Sequence, residues 1–460
     1  MTERDFALAL RRGLGSAIIE LQNNPSNAAY RDTVLRCCLR DISYDWQVEG
    51  TKGCYLYYAI CALDENDSFE HAIIEKFMNR CTDRLFLQLT AILSCYADDK
   101  SALAKDALHA KYEYFAAKNG RLLKKPPVDE GFQWEQLTCR LFDIVGFGFP
   151  IFKRYATDIG ELLCKYPAKS NLYYYDNFMS HAKAVFSEKR ITDFIDKKCV
   201  KSNAIKAIVD TLKSEETSRE QYQANKMQKS ITIETLLEAA RSAALEKASH
   251  YGAVMRLRYQ FMKNASETDI LDLANAVIEE KDETAKGFLL RFFLHKPFPL
   301  GMASLIEYAQ SENEILAENA IGCLEEFKNK KIHDIAVQLL NSKGLKSCAL
   351  GLLIKNYQKS DVEIIYRLIK NHSTIPHHVQ MDLREIFNHH RSHNAFPILF
   401  FAYKKGDCSF CRNGIVEAMN HCGVLTDEII NECLYDSYDD TRRLAKKYIS
   451  RRCAKRKEPV

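Results

Sequence analysis

Polar breaks recur through the C-terminal half of this chain at nearly fixed intervals, and that regularity limits its fold more than any other feature. They are EEKDE at 279–283, QSENE at 310–314, NSKGLK at 341–346, KNHSTIP at 370–376, KKGDCS at 404–409 and YDSYDD at 435–440. Successive starting positions differ by 31, 31, 29, 34 and 31 residues. A period of this size is the mark of stacked supersecondary units. Two apolar-periodic segments lie between breaks. The first pairs Leu273/Ala274 with Val277/Ile278, Ile335/Ala336 with Leu339/Leu340, and Ile429/Ile430 with Cys433/Leu434. In the second, Leu316, Ala320, Cys323, Leu324 and Phe327 fall at i, i+4, i+7, i+8 and i+11. Both patterns predict amphipathic helices. Asp, Glu, Asn or Ser opens the second segments, most clearly Asp439, Asp440 and Thr441. Such side chains satisfy free backbone N–H groups and suit the positive end of the helix dipole.

Composition supports an all-α chain. Only 18 glycines and 10 prolines serve 460 residues, too few for the many turns of a β-sandwich or barrel. The acidic openings, the small residues inside the second segments (Ala285, Ala317, Ala349, Ala445) and the unit of about 31 residues resemble the HEAT-repeat superfamily. The resemblance covers roughly residues 230–460 and implies a HEAT-like solenoid, a right-handed α-α superhelix. A degenerate unit with helices near 231–247 and 250–263 precedes the regular ones. We therefore expect a divergent helical domain over 1–212, a polar linker over 213–230, and an array of about six to seven units over 231–460. In the divergent half, helices are predicted over 4–22, 26–40, 51–63, 68–79, 84–97, 100–118, 132–146 and 151–165. Residues 84–116 read as another HEAT-type pair. KKPPVDEG at 124–131 reads as a loop, because two prolines stop a helix.

The 16 cysteines include several in apolar runs, such as Cys61 and Cys95. Free thiols behave there as small core residues and are tolerated in a reducing compartment, so a cytoplasmic location is expected. The N-terminal MTERDFALALRR does not read as a secretory signal, and no run approaches roughly 18 consecutive apolar residues. A net charge of +4 over 126 charged side chains neither demands nor excludes an anionic partner.

Three segments are candidate sites. The first is RDISYDWQVEGTKGCYLYY at 40–58. Asp41, Asp45 and Glu49 would share one face of a helix beside Tyr44 and Trp46, where carboxylates near an aromatic can bind a cation or shift one carboxyl pKa. Gly50 and Gly53 mark a special turn. The bland reading is a solvated acidic face with a buried tryptophan. The second is the histidine- and cysteine-rich stretch holding His372, His377, His378, His389, His390, His393 and His421. Cys408, Cys411, His421 and Cys422 there have the residue types of a zinc site, although Cys411 also fits ordinary packing. The third is the basic run Arg442, Arg443, Lys446, Lys447, Arg451 and Arg452, which suits either a capping terminal helix or contact with a nucleic-acid backbone.

No phosphate-binding loop, dinucleotide fingerprint, H-E-x-x-H or G-x-S-x-G is present. The expectation is a non-enzymatic scaffold without cofactor, binding a macromolecular partner, foremost a protein, on a concave face. The alternative is nucleic-acid binding. HEAT-like alkylpurine DNA glycosylases hold damaged duplexes with tryptophans, a carboxylate and basic residues. The tryptophans here are Trp46 and Trp134, both outside the regular repeats.

Overall fold

The computed structural model describes residues 1–64, 67–118, 124–125, 128–144, 146–165, 173–211, 213, 231–245, 251–343 and 348–455. These residues are overwhelmingly helical, as the scarcity of turn formers predicts. Among them one two-residue antiparallel ladder occurs, Lys124–Lys125 with Val128–Asp129, inside the segment expected to be a loop. Most of the expected linker, 214–230, lies outside the described residues, as do 344–346 of one polar break. No described helix is long and apolar enough to cross a membrane.

Contacts divide the chain into two units. One contains Met1–Gln223, Cys408–Phe410 and Asp427–Val460; the other contains Ala224–Asp407 and Cys411–Thr426.

In the second unit helix boundaries fall at the polar breaks. Glu267–Glu279 ends and Glu283–Leu290 begins around EEKDE; Ala303–Tyr308 and Glu314–Leu324 flank QSENE; Asp361–Lys370 and His377–His390 flank KNHSTIP. The starts have local causes. Asp282 accepts from Ala285 N at 2.8 Å, and Asn313 accepts from Leu316 N at 3.1 Å, each capping the helix that follows. Glu283–Leu290 packs against both Ile233–Leu245 and Glu314–Leu324. Small residues permit that approach. Ala285 and Ala317 are buried, and a Cβ on Gly287 would sit 2.8 Å from Leu316 N.

Side chains then tie several helices of the second unit to segments about thirty residues earlier. Asn356 Nδ2 donates to Phe327 O at 3.0 Å, and its Oδ1 accepts from Asn329 N at 2.8 Å. Lys355 donates to Glu326 O at 3.1 Å, His390 meets Ile354 O at 2.8 Å, and Lys405 donates to Lys370 O at 2.9 Å. Cys323 donates to Leu290 O at 3.3 Å and Cys422 to Phe387 O at 3.4 Å. These partners stand 27 to 36 residues apart, close to the spacing of the polar breaks. Most of these bonds go to carbonyls at or just beyond helix C-termini, such as Phe327 O and Lys370 O, which the helix itself leaves unpaired.

The first unit uses the same device. Gln88 donates to Cys37 O, Cys38 O and Arg40 O at 3.0, 3.1 and 2.8 Å, closing the end of the helix Ala28–Cys38. Buried Lys111 donates to Met78 O at 3.0 Å at the end of Asp67–Met78. The expected pair at 84–116 is present as Asp83–Asp98 and Ala102–Ala117, the latter capped by Ser101. The helix expected over 4–22 is instead two, Glu3–Arg12 and Gly15–Asn23, because Gly13 takes a left-handed φ of 76°. Bare backbone there also admits the C-terminal helices. Ser437 N donates to Gly13 O at 2.9 Å, and a Cβ on Gly15 would fall 1.8 Å from Glu432 O. Through these contacts the segment around Glu432–Ser437 packs with the N-terminal helices, within the first unit.

Ala317→Asp is expected to destabilise the protein by about 3 kcal/mol or more, because it puts a carboxylate into a buried helix contact. Thermal melting followed by circular dichroism checks this, and a melt within about a degree of wild type (well under 1 kcal/mol) would contradict the packing.

Candidate pockets and partner surfaces

The segment 40–58 folds differently from the helix face its carboxylates suggested. Only Trp46–Glu49 is helical before Gly53–Cys61 begins. Asp41 instead accepts from Ser43 N at 3.1 Å in a local turn, and Asp45 caps the short helix by accepting from Gln47 N at 3.1 Å. Asp41, Asp45 and Glu49 therefore do not form one acidic face. Tyr44 is exposed, and its backbone N–H donates to Glu49. Gly50, at a φ of 71°, makes the turn.

Glu49 is the buried centre of this segment. It pairs with Lys52 at 3.3 Å and accepts from Asp45 N at 3.3 Å. Its other oxygen accepts from Ser409 N at 2.9 Å and Ser409 Oγ at 2.7 Å, from a residue 360 positions away. Lys52 spends its remaining protons on Arg11 O at 3.0 Å and Ile42 O at 3.3 Å. Burial by itself would raise the Glu49 pKa. The Lys52 ammonium and the Ser409 and Tyr44 donors outweigh it and hold the carboxyl below its ordinary value. Glu49 is thus an ionised clamp, saturated with donors, and does not act as an acid–base group. Nothing in the local sequence pointed to Ser409 as its partner.

Beside the clamp is a cavity of about 320 Å³. Trp46, Gly50 and Thr51 form part of its wall, Leu87 and Thr90 another, and Gln136, Cys139 and Arg140 of the helix Glu130–Leu141 a third; Asp143 and His181 complete it. A guanidinium, a carboxylate, an imidazole and an indole can hold a small polar ligand. The Cys139 thiol, its pKa pushed up by burial, is a poor nucleophile there. Trp46 meets Phe132 edge-on at 6.0 Å, whereas Trp134 is fully buried against Tyr155 at 4.8 Å and has no face for a base.

The second unit carries its own pocket, of about 410 Å³, with Arg258, Lys263 and Lys296 around Met255, Tyr259, Met262 and Phe292. It also gathers carboxylates from successive segments. Glu318, Glu325 and Asp382 all act electrostatically on Cys348. Burial, then Glu325 and Glu385, push the Asp382 carboxyl up to about 8. Burial, then Glu326, push Glu325 up to about 7, against the pull of Lys355.

Of the cysteine–histidine candidates, His421 and Cys422 take partners other than Cys411. His421 Nδ1 meets Asn388 Oδ1 at 2.7 Å, and Cys422 faces Phe387 O. Cys411 Sγ instead approaches His377 Nδ1 at 3.2 Å. Cys408 is buried. In the basic run Arg442 turns inward, donating to Asp436 O at 2.6 Å and pairing with Asp439, while Arg443 pairs with Asp440. Lys446, Lys447 and Arg451 are exposed; the Arg452 side chain lies outside the described residues.

The Glu49 clamp makes stability depend on acid. The depressed folded pKa stabilises the protein above the ordinary carboxylate value, about 4.3, and that contribution is lost as pH falls below it. Lys52→Met leaves the carboxylate buried and unpaired, and is expected to cost about 3–5 kcal/mol at pH 7. The loss should shrink toward pH 3. Melts across that range check this, and a pH-independent difference would contradict it.

No protein-family model, curated protein or solved structure matches this chain.

Proposed function

We propose that this chain is a non-enzymatic helical-repeat scaffold of HEAT-like solenoid type, whose stacked pairs in the second unit present a surface to a protein partner. The repeated side-chain-to-carbonyl bonds between pairs support the architecture. The observation that carries the partner reading is the carboxylate cluster. Glu318 lies on Glu314–Leu324, Glu325 follows that helix, and Asp382 lies on His377–His390. Asp382 and Glu325 hold their protons near neutrality, first because they are buried and then because neighbouring carboxylates act on them. An arginine or lysine side chain of a partner would ionise both and relieve that cost, so the partner segment is basic.

Nucleic acid is the second reading, favoured by Arg258, Tyr259, Lys263 and Lys296 around one pocket and by the exposed Lys446, Lys447 and Arg451. Basic and aromatic side chains together suit a phosphate backbone and a stacked base.

Affinity capture with the intact protein tests the first reading. Capture of a partner through a basic segment is expected, with loss on Asp382→Lys but not on substitution of Lys446. Asp382→Asn reports the cluster independently. Near pH 3 both chain states hold this proton. Between about pH 4 and pH 8 the unfolded chain releases it while the folded one keeps it, which costs stability. Asp382→Asn should therefore raise the melting temperature at pH 7 and leave it unchanged near pH 3. A partner retained by Asp382→Lys would overturn the proposal. Retention of the protein on heparin at roughly 50 mM salt, lost at physiological salt, would favour nucleic acid instead.

A further inference from the structure

Two thiols in the first unit stand apart from the other described cysteines. Cys54 opens the helix Gly53–Cys61, and Cys95 lies near the end of Asp83–Asp98. Their sulfurs are 3.3 Å apart, with Cys95 donating to Cys54. The backbone explains the approach. Gly53 sits so close to the facing helix that a Cβ there would come within 2.5 Å of Ala91 Cβ and 2.6 Å of Gln88 O. The missing side chain lets the two helices draw together at the residue next to Cys54. Both thiols are half-buried, neither sealed in the core like Cys38 and Cys323 nor fully open.

We propose that Cys54 and Cys95 are a redox-active dithiol that closes to a disulfide between these two helices on reaction with a low-molecular-weight disulfide. A disulfide needs about 2.05 Å between sulfurs, so side-chain rotation of little more than ~1 Å brings them into bonding distance.

The surroundings favour Cys54 as the attacking sulfur. The Cys95 thiol donates to it, burial opposes, and Arg140 and Arg442 support its negative charge against Asp439; the result is a pKa lowered to about 7. Cys95 keeps its proton, its own pKa raised by the shared bond. By contrast, burial raises Cys37, Cys61, Cys81, Cys323 and Cys348. Cys54 is therefore more readily ionised at neutral pH than these thiols.

The exchange balances in two steps. The Cys54 thiolate attacks one sulfur of the small disulfide and releases the other as a thiolate, which takes a proton. Cys95 then gives up its proton and attacks the Cys54 sulfur, releasing the second small thiol. The protein dithiol loses two electrons and two protons, and the small disulfide is reduced to two thiols.

The test uses the full chain equilibrated with mixtures of oxidised and reduced glutathione, quenched by alkylation, and mapped by digestion and mass spectrometry. We expect a cross-linked Cys54–Cys95 peptide to form before any other cysteine is modified. Cys95→Ser should stop at a stable glutathione adduct on Cys54. Cys54→Ser should slow the first modification roughly tenfold at pH 7, since an ordinary thiol is only a few per cent ionised there. If wild-type Cys54 and Cys95 both remain alkylatable in excess oxidised glutathione, or if Cys54 keeps its adduct with Cys95 intact, the proposal fails. The wild-type mapping decides this even if a variant does not fold.

Discussion

A helix hairpin of about thirty residues has two debts it cannot settle alone: an apolar stripe on one side and unpaired carbonyls at its C-terminal ends. Its neighbour resolves both. In the second unit Asn356, Lys355, His390 and Lys405 each reach the hairpin before their own, while Ala285, Gly287 and Ala317 keep the helices near enough for that reach. A net hydrogen bond contributes only about 1 kcal/mol, but a buried carbonyl left without one costs more. Register between hairpins is therefore held more by the penalty for misplacement than by the attraction itself. Gln88 and Lys111 apply the same rule in the first unit, where the period is lost but the carbonyls still need partners.

Charge is handled in opposite ways in the two units. Around Glu49 every acceptor direction is filled, by a lysine, by backbone N–H groups and by Ser409, so the carboxylate stays ionised although buried. Around Asp382 and Glu325 carboxylates face carboxylates, and protons take the place of counter-ions. The first arrangement is complete and serves the fold. The second is incomplete, and groups with perturbed pKa values in such settings are frequent at sites of function.

What the sequence disclosed follows the range of each interaction. Helix starts at Asp282 and Asn313 are local chemistry, four residues wide, and were readable. So was the apolar period, because one face of every second helix is buried. The break at Gly13 was not, since a glycine between Arg12 and Leu14 tolerates either conformation until Ser437 claims its carbonyl. The acidic face over 41–49 failed for a related reason. Asp41 is drawn into a turn by Ser43, and Glu49 is drawn inward by a serine 360 residues on. Arg140, Asp143 and His181 carried no motif at all; the cavity they share with Trp46 exists only once their segments meet.

Whether one hairpin is completed by the next is read by hydrogen exchange on Asn356→Leu. That variant keeps volume near the site but removes the amide that holds Phe327 O and Asn329 N. Faster exchange is expected at residues 327–329 and in the adjoining end of Glu314–Leu324, with the helix Glu267–Glu279 unchanged. Exchange altered only within the Leu353–Asn356 turn itself would contradict it.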